Sequence, residues 1–171
     1  MSKKIFAIDP GNEESAYVLI RPGYEFDRGI FGKFPNEMVL ESLGNMGHIW
    51  GNELTVVIEM VASYGMAVGK EVFDTCVWIG RFTQAAMAMG CTVEYVYRME
   101  EKMALCHDSR AKDANIRQAL IDRFAKFDKK NGKGTKTHKD VFFGYSKDVW
   151  SAAAVGVTWL DKQEGKTDEK A

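Results

Sequence analysis

Ile5-Phe6-Ala7-Ile8-Asp9-Pro10-Gly11 is an apolar run that stops at a carboxylate, after which Pro and Gly turn the chain away. Burying a lone ionised carboxylate is costly, so an Asp at this point calls for a partner cation. A divalent metal is the obvious candidate. The reading gains weight only if further carboxylates reach the same point.

A second run of the same design is Leu54-Thr55-Val56-Val57-Ile58-Glu59. If the two strands are parallel neighbours, Asp9 and Glu59 emerge together at the sheet edge where open α/β sheets place their sites. A third acid, Asp148, falls in the first turn of a helix expected from near Ser146, a plausible N-cap, to about Leu160. Ser151 shares its face at i+3. The small side chains of Ala152, Ala153 and Ala154, with Gly156, let this helix lie close to the sheet and bring Asp148 to the pair. Oxygen ligands of this kind suit Mg²⁺ or Mn²⁺ rather than Zn²⁺. Two such ions roughly 3.5–4 Å apart activate a water and stabilise the leaving oxygen of a phosphodiester. Each acid also has a plainer reading: Asp9 as a turn former, Glu59 as a rim carboxylate, Asp148 as an acid favoured by the helix dipole.

The remaining pattern describes one α/β domain. Lys4 to Asp9, Ser15 to Arg21 and Glu25 to Phe31 read as strands, with Arg21-Pro22-Gly23 a type II turn signal. Pro35 opens a helix carrying Val39, Leu43, Met46 and Trp50 on one face, ended by Gly51-Asn52. After Glu59 comes a glycine-punctuated loop, then a helix from about Lys70 to Met89 with Val72, Cys76, Ile79, Thr83 and Ala86 on one face. Cys91 to Val96 is a fifth strand, and a helix around Ala111 to Phe127 carries Ile116, Leu120, Phe124 and Phe127. The order predicts a five-stranded mixed sheet, a three-strand meander plus two parallel strands, flanked by helices. Residues 1–160 form the domain, and 161–171 are expected to be a frayed polar tail.

The net charge of −1 hides an uneven map: Arg123 to Lys147 is strongly basic, leaving the remainder acidic. That distribution fits a local basic surface for a polyanion. Lys129 to Thr137, polar and glycine-bearing, reads as a mobile loop. The three cysteines lack CxxC spacing, which excludes a zinc site and fits a reducing compartment. No signal peptide or membrane span is read, so a cytoplasmic location is expected.

Ile8-Asp9-Pro10-Gly11, followed by Ala16-Tyr17-Val18-Leu19-Ile20, resembles the opening of RuvC-type Holliday-junction resolvases. Val57-Ile58-Glu59-Met60-Val61 is similar to that family's second acidic strand, and Asp148 with Ala152 to Thr158 resembles its terminal helix. Ile79-Gly80-Arg81, Glu94-Tyr95 with Arg98, and Ala111-Lys112 with Ile116 follow in the family's order. Actin-like ATPases share an I-D-x-G opening but need more phosphate loops and a longer chain. The resemblance implies a ribonuclease H-like fold, a homodimer, and cleavage of branched DNA with two Mg²⁺ or Mn²⁺ ions held by Asp9, Glu59 and Asp148. A phage or mobile-element version suits the short chain as well as a cellular one. Where the family carries a second acid on the last helix, this sequence has Ser151, a poor Mg²⁺ ligand. Two alternatives stay open: a nuclease for flaps or hybrids, and a weakened branched-DNA-binding module.

For phosphate contacts the candidates are Lys70, Arg81, Arg98, Lys102, Arg110, Lys112 and Arg117, with Lys136 on the basic loop. Tyr64 is placed by the resemblance to stack on an unpaired base, a contact worth about 1–3 kcal/mol. Phe73, Val77, Trp78 and Phe82 exceed what one core face of the Lys70 to Met89 helix requires, which points to a subunit interface there.

Overall fold

The computed structural model describes residues 3–165. Three strands open the chain: β1 (Lys4–Asp9), β2 (Glu14–Arg21) and β3 (Glu25–Pro35). Helix α1 (Asn36–Trp50) precedes β4 (Leu54–Met60), and α2 (Lys70–Ala88) precedes β5 (Thr92–Tyr97). Helices α3 (Arg98–Cys106), α4 (Asp113–Phe124) and α5 (Lys147–Gln163) follow. The sheet order is β3-β2-β1-β4-β5; β1, β4 and β5 run parallel, and the meander is antiparallel. The expected mixed sheet flanked by helices is the one observed.

Strand alternation sorts the core onto two faces. Ile5, Ala7, Val18, Ile20 and Val57 pack under α4 and α5. Phe6, Ile8, Leu19, Val56 and Ile58 pack under α1 and α2. Gly23 and Tyr24 both take positive φ, closing the β2–β3 turn.

Four expectations need correction. The α2 core face is Thr75, Ile79, Phe82 and Ala86, rotated from the one anticipated. Phe82 is therefore fully buried and Trp78 is half-buried against Arg81, whereas Phe73 and Val77 remain exposed. Helix α3 follows β5 without a loop and was not anticipated. The lysine-rich stretch is pinned. Asp140 accepts the backbone N–H groups of Lys126, Phe127, Asp128 and Val141 at 2.8–2.9 Å, and Asp128 accepts those of Asn131, Lys133 and Gly134. These bonds hold the Asp140 carboxyl well below the usual carboxylate range. Finally, α5 runs past Leu160. Asp161 is buried, held by both Arg123 guanidinium nitrogens at 2.7 and 2.8 Å and by the Tyr24 hydroxyl at 2.7 Å. The rest of the expected tail, residues 166–171, lies outside the described residues. Among the described residues no helix is long and apolar enough to cross a membrane.

Candidate active site

Ile8 and Ile58 are register partners on parallel β1 and β4, so the next residues, Asp9 at the end of β1 and Glu59 still paired with β5, stand at one level of the sheet. Alternation puts Asp9 on the face of Ile5 and Ala7, and Glu59 on that of Val57, toward α5. Ala152, Ala153 and Ala154 are fully buried. A Cβ on Gly156 would lie 2.7 Å from Ile20 Cδ1 and 3.1 Å from Ala7 Cβ, which measures how closely α5 sits on the sheet. That closeness brings Asp148, in the first turn of α5, to the same edge. Asp9 and Asp148 line one cleft of about 280 Å³ with Asn12, Glu13, Glu14 and Lys33.

The turn after Asp9 is locked. Ser15 Oγ accepts Gly11 N–H at 3.0 Å and donates to Asn36 Oδ1 at 2.6 Å, while Asn36 Nδ2 donates to Gly11 O at 2.9 Å. A side chain on Gly11 would strike the Glu14 carbonyl.

Helix α3 adds a fourth acid, Glu101, with no exposed surface. Arg98 donates to Glu101 Oε2 at 2.6 Å and also to Asp113, whereas Glu101 Oε1 has no hydrogen-bond partner. Burial, then Glu59 and Asp148, push the Asp9 carboxyl up to about 8. Burial raises Glu59 as well, against the pull of Arg98. Glu101 is raised well above the carboxylate range by burial and then by Glu59. Three carboxyls thus share too little positive charge to ionise together comfortably.

Asp148 is engaged elsewhere: Lys33 Nζ, from β3, lies 2.6 Å from its carboxylate and 3.6 Å from Glu14. Ser151 lines an adjoining cleft of about 340 Å³ with Arg98, Arg117, Lys147 and Asp113. A further cleft continues from it past Arg117 to Lys130 and Lys133. Arg98, bonded to Glu101, links this cleft to the acids, and Arg117 and Lys147 lie along it. Arg81 is paired with Glu37 on the opposite layer, and Lys70 with Asp74 on its own helix. Arg110, Lys112 and Lys136 are exposed, Lys102 is half-buried, and Tyr64 is exposed on a loop at positive φ. Lys33 and Glu101, like Glu13, Glu14 and Asp113, are charged groups of this region that sequence reasoning gave no role. The helix itself had a signal, the run of strong helix formers Met99 to Leu105, but the burial of Glu101 on it had none.

Among the described residues, no three His, Cys, Asp or Glu side chains converge closely enough, as they stand, to grip one ion. The donor chemistry still fits a hard divalent cation. Every donor is oxygen, a cation would offset the repulsion that raises these carboxyls, and Glu101 Oε1 has no hydrogen-bond donor beside it.

The fold has known counterparts. The structure of Thermus thermophilus RuvC aligns at a TM-score of 0.69 and 12% identity, covering 96% of this chain and 97% of that one. T. thermophilus RuvC in complex with Holliday junction substrate aligns at 0.65 and 12%, covering 95% and 96%. The yeast mitochondrial Holliday junction resolvase Ydc2 aligns at 0.53 and 11%, covering 95% and 80%. No family model and no curated protein sequence matches the chain. The fold is RuvC-like, of the ribonuclease H type.

Proposed function

We propose that this protein is a metal-dependent endonuclease that resolves four-way junctions or other branched DNA. The observation that carries this reading is the parallel register setting Asp9 beside Glu59 under the first turn of α5. The RuvC-like fold is consistent with it. Asp9, Glu59 and Asp148 would hold Mg²⁺ or Mn²⁺, two ions per site, with Ser151 beyond their cleft. The chemistry such ions supply is activation of a water and stabilisation of the leaving oxygen of a phosphodiester. Arg98 limits repulsion among the carboxyls. Arg117 and Lys147 face phosphates along the adjoining clefts, with Lys102, Arg110, Lys112 and Lys136 on the outer surface. Exposed Tyr64 offers a ring to an unpaired base. Phe73 and Val77, each about three-fifths exposed at 61% and 62%, offer α2 to a second copy, which would relate two sites by a two-fold axis.

The deciding experiment incubates wild type and Asp9→Asn with four-way junctions, flaps and RNA–DNA hybrids in Mg²⁺ or Mn²⁺. Paired nicks in the junction, lost in Asp9→Asn, are expected. Absence of cleavage by wild type, or unchanged cleavage by the variant, overturns the reading. A second reading, a module that binds branched DNA without cutting it, draws on the Lys33–Asp148 contact. Junction binding with no cleavage in either metal would favour it.

A further inference from the structure

We propose that Glu101 is the fourth carboxylate of the metal centre, supplied by α3 in place of the acid that α5 lacks at Ser151. This rests on the metal-dependent reading of the site.

Glu101 has no exposed surface, and a buried carboxylate needs partners for both oxygens. Arg98 serves Oε2 alone, and it divides its guanidinium with Asp113. Oε1 is buried with no hydrogen-bond donor beside it, and the Glu59 and Asp9 carboxyls are close enough to oppose ionisation of Glu101. Between facing carboxyls only a shared proton or a cation can bridge the oxygens, and the Glu59 carboxyl lies within hydrogen-bonding reach of Glu101.

A purely structural role does not account for the residue type. Glutamine would accept from Arg98 through its carbonyl and donate to Glu59 through its amide, without burying a second negative charge. Glutamate is the better residue only where something positive comes to lie between it and the other carboxyls. A hard cation among Asp9, Glu59 and Glu101 fills that need with oxygen ligands. Ser151 does not compete for the role, because it opens onto the cleft bordered by Arg98, Arg117 and Lys147.

The test measures metal binding, not cleavage. Mn²⁺ is titrated into the full chain without DNA, and the free ion is followed by electron paramagnetic resonance. Wild type, Asp9→Asn, Glu101→Gln and Ser151→Ala are compared, with folding checked by thermal unfolding in EDTA. Glu101→Gln is expected to weaken Mn²⁺ binding by at least about tenfold, while unfolding in EDTA at no lower temperature than wild type. Ser151→Ala is expected to bind as wild type does. If Asp9→Asn weakens binding but Glu101→Gln does not, this inference alone is overturned. If wild type and Asp9→Asn bind Mn²⁺ alike, the metal reading falls and takes this one with it. Should Glu101→Gln not fold, Glu101→Asp keeps the charge, withdraws the oxygens by one methylene, and carries the same expectation.

Discussion

Lys33 Nζ stands 2.6 Å from the Asp148 carboxylate, so an ammonium on β3 holds the one acid that α5 brings to the site. Both side chains are about a third or more exposed, and such a pair is worth about 0.2–1 kcal/mol. Lys33→Met should therefore free Asp148 at little expense in stability and raise Mn²⁺ affinity by up to about fivefold. Calorimetric titration checks this; a fall in affinity would mean that Lys33 supports the site instead.

Asp9 gives the metal-free protein a definite pH dependence. Its carboxyl ordinarily titrates near 3.8 and is pushed up to about 8 in the fold, first by burial and then by Glu59 and Asp148. The folded chain holds this proton more tightly than the unfolded one. The resulting stability is complete below the unfolded value and is lost as pH rises through about 8. In EDTA, the wild-type melting temperature should fall from about pH 6 to about pH 9 relative to that of Asp9→Asn. Excess Mn²⁺ should remove the difference, and its binding should release protons over the same range. Parallel profiles for the two proteins in EDTA would contradict the assignment.

The seat of α5 can be disturbed without touching a charged group. A side chain at Gly156 meets Ile20 Cδ1 at 2.7 Å and Ala7 Cβ at 3.1 Å, both on fully buried residues. Gly156→Val should cost about 1–3 kcal/mol in urea unfolding and also weaken Mn²⁺ binding, because Asp148 rides on the same helix. Gly44, inside α1, has open space where a Cβ would go. Gly44→Ala should stabilise by up to about 1 kcal/mol and leave metal binding alone.

Arg117 and Lys147 border the cleft beside Ser151. If they meet phosphates, Arg117→Ala and Lys147→Ala should each weaken junction binding and reduce the slope of log affinity against log salt by about one. Binding assays across a salt series measure both. A drop in affinity with an unchanged slope would show that the residue acts on the fold rather than on phosphate.

Asp9 and Glu59 were legible because each ends an uninterrupted apolar run, and parallel pairing then sets two strand ends side by side. Asp148 was legible through the small residues behind it, which announce a closely seated helix. Glu101 was not. Its helix is nine residues long, starts directly at the end of β5, and buries a charged residue where a periodic pattern would show an apolar one. On α2, Phe82 read as surplus because Val72, Cys76 and Thr83 compose an equally regular stripe; packing chose the face carrying the larger ring. Asp161 looked like the start of a polar tail until Arg123, far away in sequence, proved to be its partner. Composition alone cannot foresee pairings between residues so distant along the chain.

The lysines of the stretch pinned by Asp128 and Asp140 stand on a backbone whose amides are already committed. A polyanion meeting Lys130 and Lys133 would not have to order the chain beneath them, so little conformational entropy is lost on contact. The pinned backbone also cannot follow a target, and each ammonium reaches only as far as its own side chain allows. On the proposed reading, a straight duplex and a crossover present phosphates at different spacings, and an unyielding rim matches one better than the other. Shape selectivity would then come from what this edge of the protein is unable to do.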